Sequence, residues 1–372
     1  MATTSTRLHG IDLARAVAIM GMMLIHFNEI AGTIPYTGPD WLVWLDGQLE
    51  GRAAVAFVIL AGIGMSLMSR RARISGTDEA RRTVCKALFR RAIVLFGAGL
   101  LFHQAWDGDI LHCYGIFISI GTLLLFAPSR WLWMLTLLLN AGFLAMFLLF
   151  NNHPGWAYDA GWDWDALVYA DFWTAKGFLR SIVFNGWFPL FPWLGFMLLG
   201  IWLGRLDLGS RSVRRNGMLW GGGIAVAATG ASWLLTNRIG PGMLGMPYEF
   251  SYALFGRECL PPTPFFVIQS GGAAVFMIAL CLGVADRLGD SRGLKPWLVF
   301  GQCALSIYIG HVFLFLVPLI YLDCTGYSLW ITLPMGAGAI LATLLLIVAW
   351  HRFFDRGPLE IVIRRLAEPT RS

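Results

Sequence analysis

Four ionisable residues, Asp12, Arg15, His26 and Glu29, stand inside one apolar stretch, Gly10 to Ala31. A charged side chain deep in a bilayer costs roughly 2.5–3.5 kcal/mol on insertion scales, so such residues are functional candidates by default. From Arg15 to His26 a helix turns about 1100°, or about 20° net, and rises about 16 Å. The two therefore share one face. Asp12 and Glu29 each stand three residues from one of them and can lie beside it. The chemistry open to this set is proton transfer. An imidazole titrates near neutrality, with a reference pKa of about 6.5, and next to a carboxylate it can deprotonate a hydroxyl or an amine. His26 is the expected base and Glu29 the group that orients it.

A second set gathers at the ends of later apolar runs. Glu50 and Arg52 open one, His103 closes another, and Asp107, Asp109 and His112 follow across a short turn. Antiparallel neighbours joined by short loops are adjacent, so His103, Asp107, Asp109 and His112 must be close. Glu50 and Arg52 can reach them only by packing. These six, with Asp12, are candidates for binding a substrate. The competing reading is a set of interfacial residues in contact with water. No Gly-x-Ser-x-Gly elbow, His-Glu-x-x-His or Gly-rich phosphate loop occurs, which disfavours serine hydrolysis and metal hydrolysis. No metal is expected.

These residues need helices that cross a membrane. Of the 372 residues, 57% are hydrophobic and 13% charged, against about 25% charged in soluble domains. Ten apolar runs are readable: 10–32, 48–68, 84–105, 109–127, 131–150, 180–203, 217–237, 263–285, 296–319 and 328–350. Each is near the roughly 20 residues a bilayer demands. The expected fold is all-α, a polytopic transmembrane helical bundle of about 10 spans forming one domain over 1–372. The first run is too long for a cleavable signal peptide and reads as a retained span. Lys and Arg set the orientation. Twenty-two of the 28 fall on one side, from Arg7 through the 69–92 loop to Arg371. That side is cytoplasmic, with both termini on it. The net charge of +6 is loop asymmetry, not a nucleic-acid signature. The expected location is the bacterial inner membrane. A homodimer is one of the oligomeric states left open. The six cysteines have no metal-ligand spacing; Cys259 and Cys324 could pair or stay free.

Three further stretches carry polar chemistry. The loop near 151–177 places Asp159, Asp163, Asp165 and Asp171 among Trp156, Trp162, Trp164 and Trp173. An interfacial aromatic belt explains it; so does a sugar-facing surface. The basic loop 69–92 satisfies topology, or takes the phosphates of coenzyme A, with Lys86, Arg90 and Arg91 favoured. The run 296–319 puts Gln302, Ser306, Tyr308 and His311 in the membrane, where helix–helix hydrogen bonding is expected. On one continuous helix His311 faces away from Gln302.

The residues also resemble known families. Arg15 and His26 are similar to the Arg-x10-His signature of the acyltransferase-3 family. Ala56–Gly62 resembles its Phe-Phe-x-Leu-Ser-Gly segment, with Ala at the Ser position, and Arg90-Arg91 resembles its basic pair. Trp106–Gly115, Gly301–Tyr308 and Arg356–Glu360 resemble the YeiB-like bacterial membrane proteins. Their order is similar to that of the heparan-α-glucosaminide N-acetyltransferase family. The resemblance implies a membrane acyltransferase that takes an acyl group, acetyl above all, from cytosolic acyl-CoA. The acceptor would be a hydroxyl or amine of a carbohydrate-like molecule. It implies His26 as catalytic residue and Arg15 as its functional companion. The rival reading is a small-solute transporter that uses Asp12, Arg15 and His26 as a relay.

Overall fold

A computed structural model describes residues 8–367 except 34, 151, 152, 154, 165 and 290. Arg7, Asp165 and Arg371, which entered the charge and loop readings, lie outside the described residues. The helices are α1 (His9–Ala31), α2 (Asp40–Gly47), α3 (Arg52–Met68), α4 (Arg70–Ser75), α5 (Asp78–His103), α6 (Leu111–Leu124) and α7 (Ser129–Phe150). A two-strand hairpin follows, β1 (Trp162–Asp163) against β2 (Val168–Tyr169). Then come α8 (Ala175–Arg180), α9 (Leu190–Leu203), α10 (Arg211–Leu234), α11 (Tyr248–Phe255) and α12 (Pro264–Leu288). The chain closes with α13 (Lys295–Gln302), α14 (Ala304–His311), α15 (Val317–Tyr321), α16 (Leu329–Trp350) and α17 (Pro358–Ala367).

The protein is thus an all-α, polytopic membrane protein. Among the described residues, seven helical stretches are long and apolar enough to cross a bilayer, and Ala175–Asn185 with Leu190–Leu203, bent by 52°, makes an eighth if the pair is taken as one span. Two of the ten expected runs differ from that pattern. The 84–105 run begins earlier, at Asp78, because Thr77 leaves extended backbone and Asp78 and Glu79 fill the first turn, where acidic groups favour the helix dipole. The 109–127 run is a 14-residue helix. The basic stretch 69–92 is therefore largely helix (α4 and the start of α5), not loop.

The chain divides into two compact units. The first joins Met1–Phe57 and Leu208–Leu219 to Ala274–Arg364. Here α1 is central, with α13, α14 and α16 against it. Small residues allow the close approach: Ala14, Ala16 and Ala18 are buried, and a Cβ on Gly301 of α13 would overlap the Asp12 carbonyl oxygen. Gly32 ends α1, its N–H returning to the Asn28 carbonyl. The following segment is tied to 327–329 by Tyr327 N–H to Ala31 O, 2.9 Å, and Leu329 N–H to Thr37 O, 2.9 Å.

The second unit joins Val58–Asp207, Trp220–Ala273 and Arg365–Ser372. Its α5 and α6 form a tight antiparallel pair. Gly99 makes this possible, because any Cβ there would strike the backbone of His112. The described residues between His153 and Trp187 fold onto the α5–α6 connection. Asn185 is their hub. The Nδ2 group donates to the carbonyls of Tyr158 (2.9 Å) and Ala160 (2.8 Å), and Oδ1 accepts from the Tyr169 hydroxyl at 2.7 Å. Arg180 donates to the same hydroxyl at 2.7 Å and to both oxygens of Asp171. The aromatic residues here are a folded core as well as a surface: Trp162 stacks on Trp164 and meets Trp187 edge-on.

Candidate functional site

In the first unit α1 carries two polar clusters. Near its start Arg15 Nη1 donates to Asp12 Oδ1 at 2.8 Å, and Gln302 Nε2 donates to Asp12 Oδ2 at 3.2 Å. Towards its end His26 Nδ1 lies 2.8 Å from His311 Nε2, with the rings near parallel at 5.1 Å. His311 is 1% exposed, and its Nδ1 faces the Ile307 carbonyl at 3.1 Å.

Gln302 and His311 were expected on opposite faces of one helix, yet both reach α1. The helix breaks at Cys303, where φ −102° and ψ 20° separate α13 from α14. The break exposes the first amide groups of α14. The Glu360 carboxylate fills that end, accepting from Leu305 N–H (2.8 Å), Ser306 N–H (3.2 Å) and the Ser306 hydroxyl. A π-helical turn, Val312–Leu316, follows His311 at once. Such turns cluster at functional sites.

The Glu29 carboxyl lies within electrostatic reach of Glu50 and Asp46. Asp46 accepts from Asn28 Nδ2 at 2.5 Å, and both side chains are buried. Arg52 has a structural task in the same turn, its Nη1 donating to the carbonyls of Gly47 (2.8 Å) and Glu50 (3.0 Å). Sequence reasoning missed Asn28 and Asp46, named Glu360 only within a resemblance, and gave His311 a helix-packing role on the wrong face. The signal available for His311 was an imidazole inside an apolar run.

In the second unit the structure brings His103, Asp107, Asp109 and His112 together. They line a cleft of about 270 Å³ of atom-free space, mouth included, with Cys113, Tyr169, Phe172 and Trp187. Asp109 is fully buried. One oxygen accepts from Leu111 N–H at 2.9 Å, and the other faces His112 N–H (3.2 Å) and His112 Nδ1 (2.9 Å). The carboxylate caps α6 and fixes the imidazole in one act. The His103 ring packs against Phe172, centroids 3.7 Å apart and tilted by 37°, and stands 3.5 Å from Asp107. That separation is too long for a hydrogen bond, and both ring nitrogens of His103 lack one among the described residues. Burial pushes the Asp107 carboxyl up from its ordinary value, while a bond from the Tyr169 backbone works the other way.

Lys86, Arg90 and Arg91 are exposed along α5. Two further arginines that the sequence did not single out, Arg73 and Arg205, stand in the same unit. Arg205 donates to Ser129 and to the Leu125 carbonyl, both at 3.1 Å. Burial lowers the Arg73 guanidinium from its ordinary value, and the positive charges of Arg205 and Arg70 lower it further. Like charges held together in this way favour an anion between them. Among the described residues, no group of three or more His, Cys, Asp or Glu has a metal-holding arrangement. The six cysteines are thiols.

This multi-pass helical protein, whose first helix pairs His26 with the α14 imidazole of His311, falls by its family match in the class of N-acetyltransferase-like membrane proteins. Residues 7–236 match the family model described as heparan-alpha-glucosaminide N-acetyltransferase, catalytic, and residues 265–369 match DUF418, a family of unknown function. The chain belongs to this family, in its YeiB-like form. It is 26% identical to the uncharacterized protein YeiB of Escherichia coli (strain K12), over 96% of this chain and 95% of that protein.

Proposed function

We propose that the protein is an integral-membrane acyltransferase that moves an acyl group, acetyl in the first instance, from cytosolic acyl-CoA. The acceptor is a hydroxyl or amine of a carbohydrate-like molecule at or near the outer face. One observation carries the reading. His26 stands in the family-matched first helix, inside an apolar span, with its ring hydrogen-bonded to a second buried imidazole. Ionisable residues kept in such a place serve function.

His26 takes the proton from the acceptor hydroxyl or amine as that atom attacks the thioester carbonyl carbon. The new C–O or C–N bond replaces the C–S bond, and the CoA thiolate leaves with the proton that the imidazolium returns. Arg15 and Asp12 hold the cytoplasmic end of the polar stripe. Glu29, with Glu50 close by, places a carboxyl group near the outer end. Lys86, Arg90 and Arg91, joined by Arg73 and Arg205, attract the phosphates of the donor. In the second unit the cleft with His103, Asp107, Asp109 and His112 takes hydroxyl-rich ligands. Ten spans with both termini cytoplasmic fit the charge asymmetry, with α5 and α6 as the two spans beyond the eight. The protein belongs in the bacterial inner membrane.

The test is CoA release by purified protein given acetyl-CoA and a panel of sugars and amino sugars. Release is expected from the wild type and is lost in His26→Ala. Release that His26→Ala leaves untouched overturns the reading. Solute uptake into proteoliposomes, abolished by that variant with no thioester consumed, replaces it with the transporter.

A further inference from the structure

The His26–His311 contact fixes more than distance. A neutral imidazole has one donor nitrogen and one acceptor nitrogen. His311 Nδ1 faces the Ile307 carbonyl oxygen at 3.1 Å. That oxygen can only accept, so His311 Nδ1 carries the hydrogen. His311 Nε2 is then an acceptor. It lies 2.8 Å from His26 Nδ1, which must bring the hydrogen to that contact. The remaining nitrogen of His26, Nε2, therefore bears the lone pair.

We infer that His311 is the positioning residue for His26: it selects the tautomer in which Nε2 is the base. This rests on the acyltransferase reading for its chemical use, but not for its geometry. When Nε2 takes a proton, His26 still donates from Nδ1 to His311, so no bond has to be remade during the step. The relay starts at a backbone carbonyl, which cannot change protonation.

The surrounding helix is built to keep His311 in place. The break at Cys303 turns α14 so that residue 311 meets α1. Glu360 pins the first turn of α14 through Leu305 and Ser306. The π turn begins at the next residue, Val312. A histidine wanted merely to fill space needs none of these.

The experiment uses full-length protein in nanodiscs, labelled with 15N-histidine. The chain has 7 histidines, so His26 and His311 can be assigned from His26→Gln and His311→Gln. The expected result is a His26 ring protonated at Nδ1 and bare at Nε2, lost or mixed in His311→Phe. A wild-type His26 protonated at Nε2 overturns the inference. CoA release with acetyl-CoA and glucosamine is the second readout. His311→Phe keeps ring volume without an acceptor and should lose at least about tenfold, within the roughly 10²–10⁴-fold that general-base catalysis contributes. His311→Gln, whose amide oxygen can accept from His26 Nδ1, should recover part of that loss. Unchanged release in His311→Phe, where His26→Ala abolishes it, also overturns the inference. If His26→Ala has no effect, the acyltransferase reading falls and the tautomer measurement still decides the role of His311.

Discussion

Glu360 reaches back from the C-terminal helix to Ser306, accepting from its backbone amide and its hydroxyl, while the Ser306 hydroxyl accepts from Leu359 N–H at 3.0 Å. A carboxylate is thus placed at the start of a helix, where the dipole and the unpaired amides favour it. Five residues beyond Ser306 stands His311. Glu360→Ala should cost about 1.5–3 kcal/mol, the value of hydrogen bonds to a charged group. A lower denaturation midpoint in detergent would show it. CoA release should fall as well, since α14 loses its anchor. A variant as stable as the wild type would contradict the clamp.

Asp109→Ala removes the α6 cap and the partner of His112 together. Losing an N-terminal cap alone costs about 0.5–2 kcal/mol. Asp109→Asn should retain part of the cap, because its amide oxygen still accepts, but it presents a single acceptor where the carboxylate has two. Thermal unfolding should therefore rank wild type above Asp109→Asn above Asp109→Ala.

Asp107 gives the protein a pH dependence of known sign. Its folded pKa is raised by burial, so the folded state binds the proton more tightly than the unfolded chain does. This contribution to stability is complete below the unfolded value of about 3.9 and is lost as pH rises through the folded pKa. Asp107→Asn removes the loss. The variant should gain on the wild type as pH rises from about 4 towards neutrality. Urea unfolding at several pH values measures the gap; a gap that shrinks over that range would be the wrong sign.

Arg73 and Arg205 predict a phosphate contact. Arg73→Gln should weaken CoA binding measured by calorimetry, and raised salt should narrow the difference. A weaker response of the variant when CoA is replaced by its 3′-dephospho form would assign the contact to that phosphate. Equal CoA affinity in variant and wild type would remove Arg73 from the donor site.

Asn185 holds the 153–187 segment through one side chain. Asn185→Ala leaves buried carbonyls and the Tyr169 hydroxyl with fewer partners, at about 1–3 kcal/mol for each group left unsatisfied. Limited proteolysis between α7 and α8 should quicken. Cleavage at the wild-type rate would mean that Arg180 and Asp171 carry the segment without it.

What could be read from sequence was what is local. The Arg15–His26 relation follows from helix periodicity in an unbroken run, and α1 is unbroken from His9 to Ala31. The closeness of His103 and His112 follows from a short connection. The partner of His26 is 285 residues away, and no periodicity reports such a distance. The break at Cys303 lacks a proline, so 296–319 reads as one helix and His311 is assigned the wrong face. The 69–92 stretch reads as loop because its arginines mark topology, although arginine is also a good helix former. Asn28 and Asp46 look unremarkable until α2 folds Asp46 onto α1.

The two matched segments meet the imidazole pair from opposite sides. His26 lies within residues 7–236 and His311 within residues 265–369. The compact unit that contains both draws on the beginning and the end of the chain. A gene cut between the two segments would therefore give two products, each with one member of the pair and neither with the hydrogen bond. The segment matched to the family of unknown function thus supplies half of the pair.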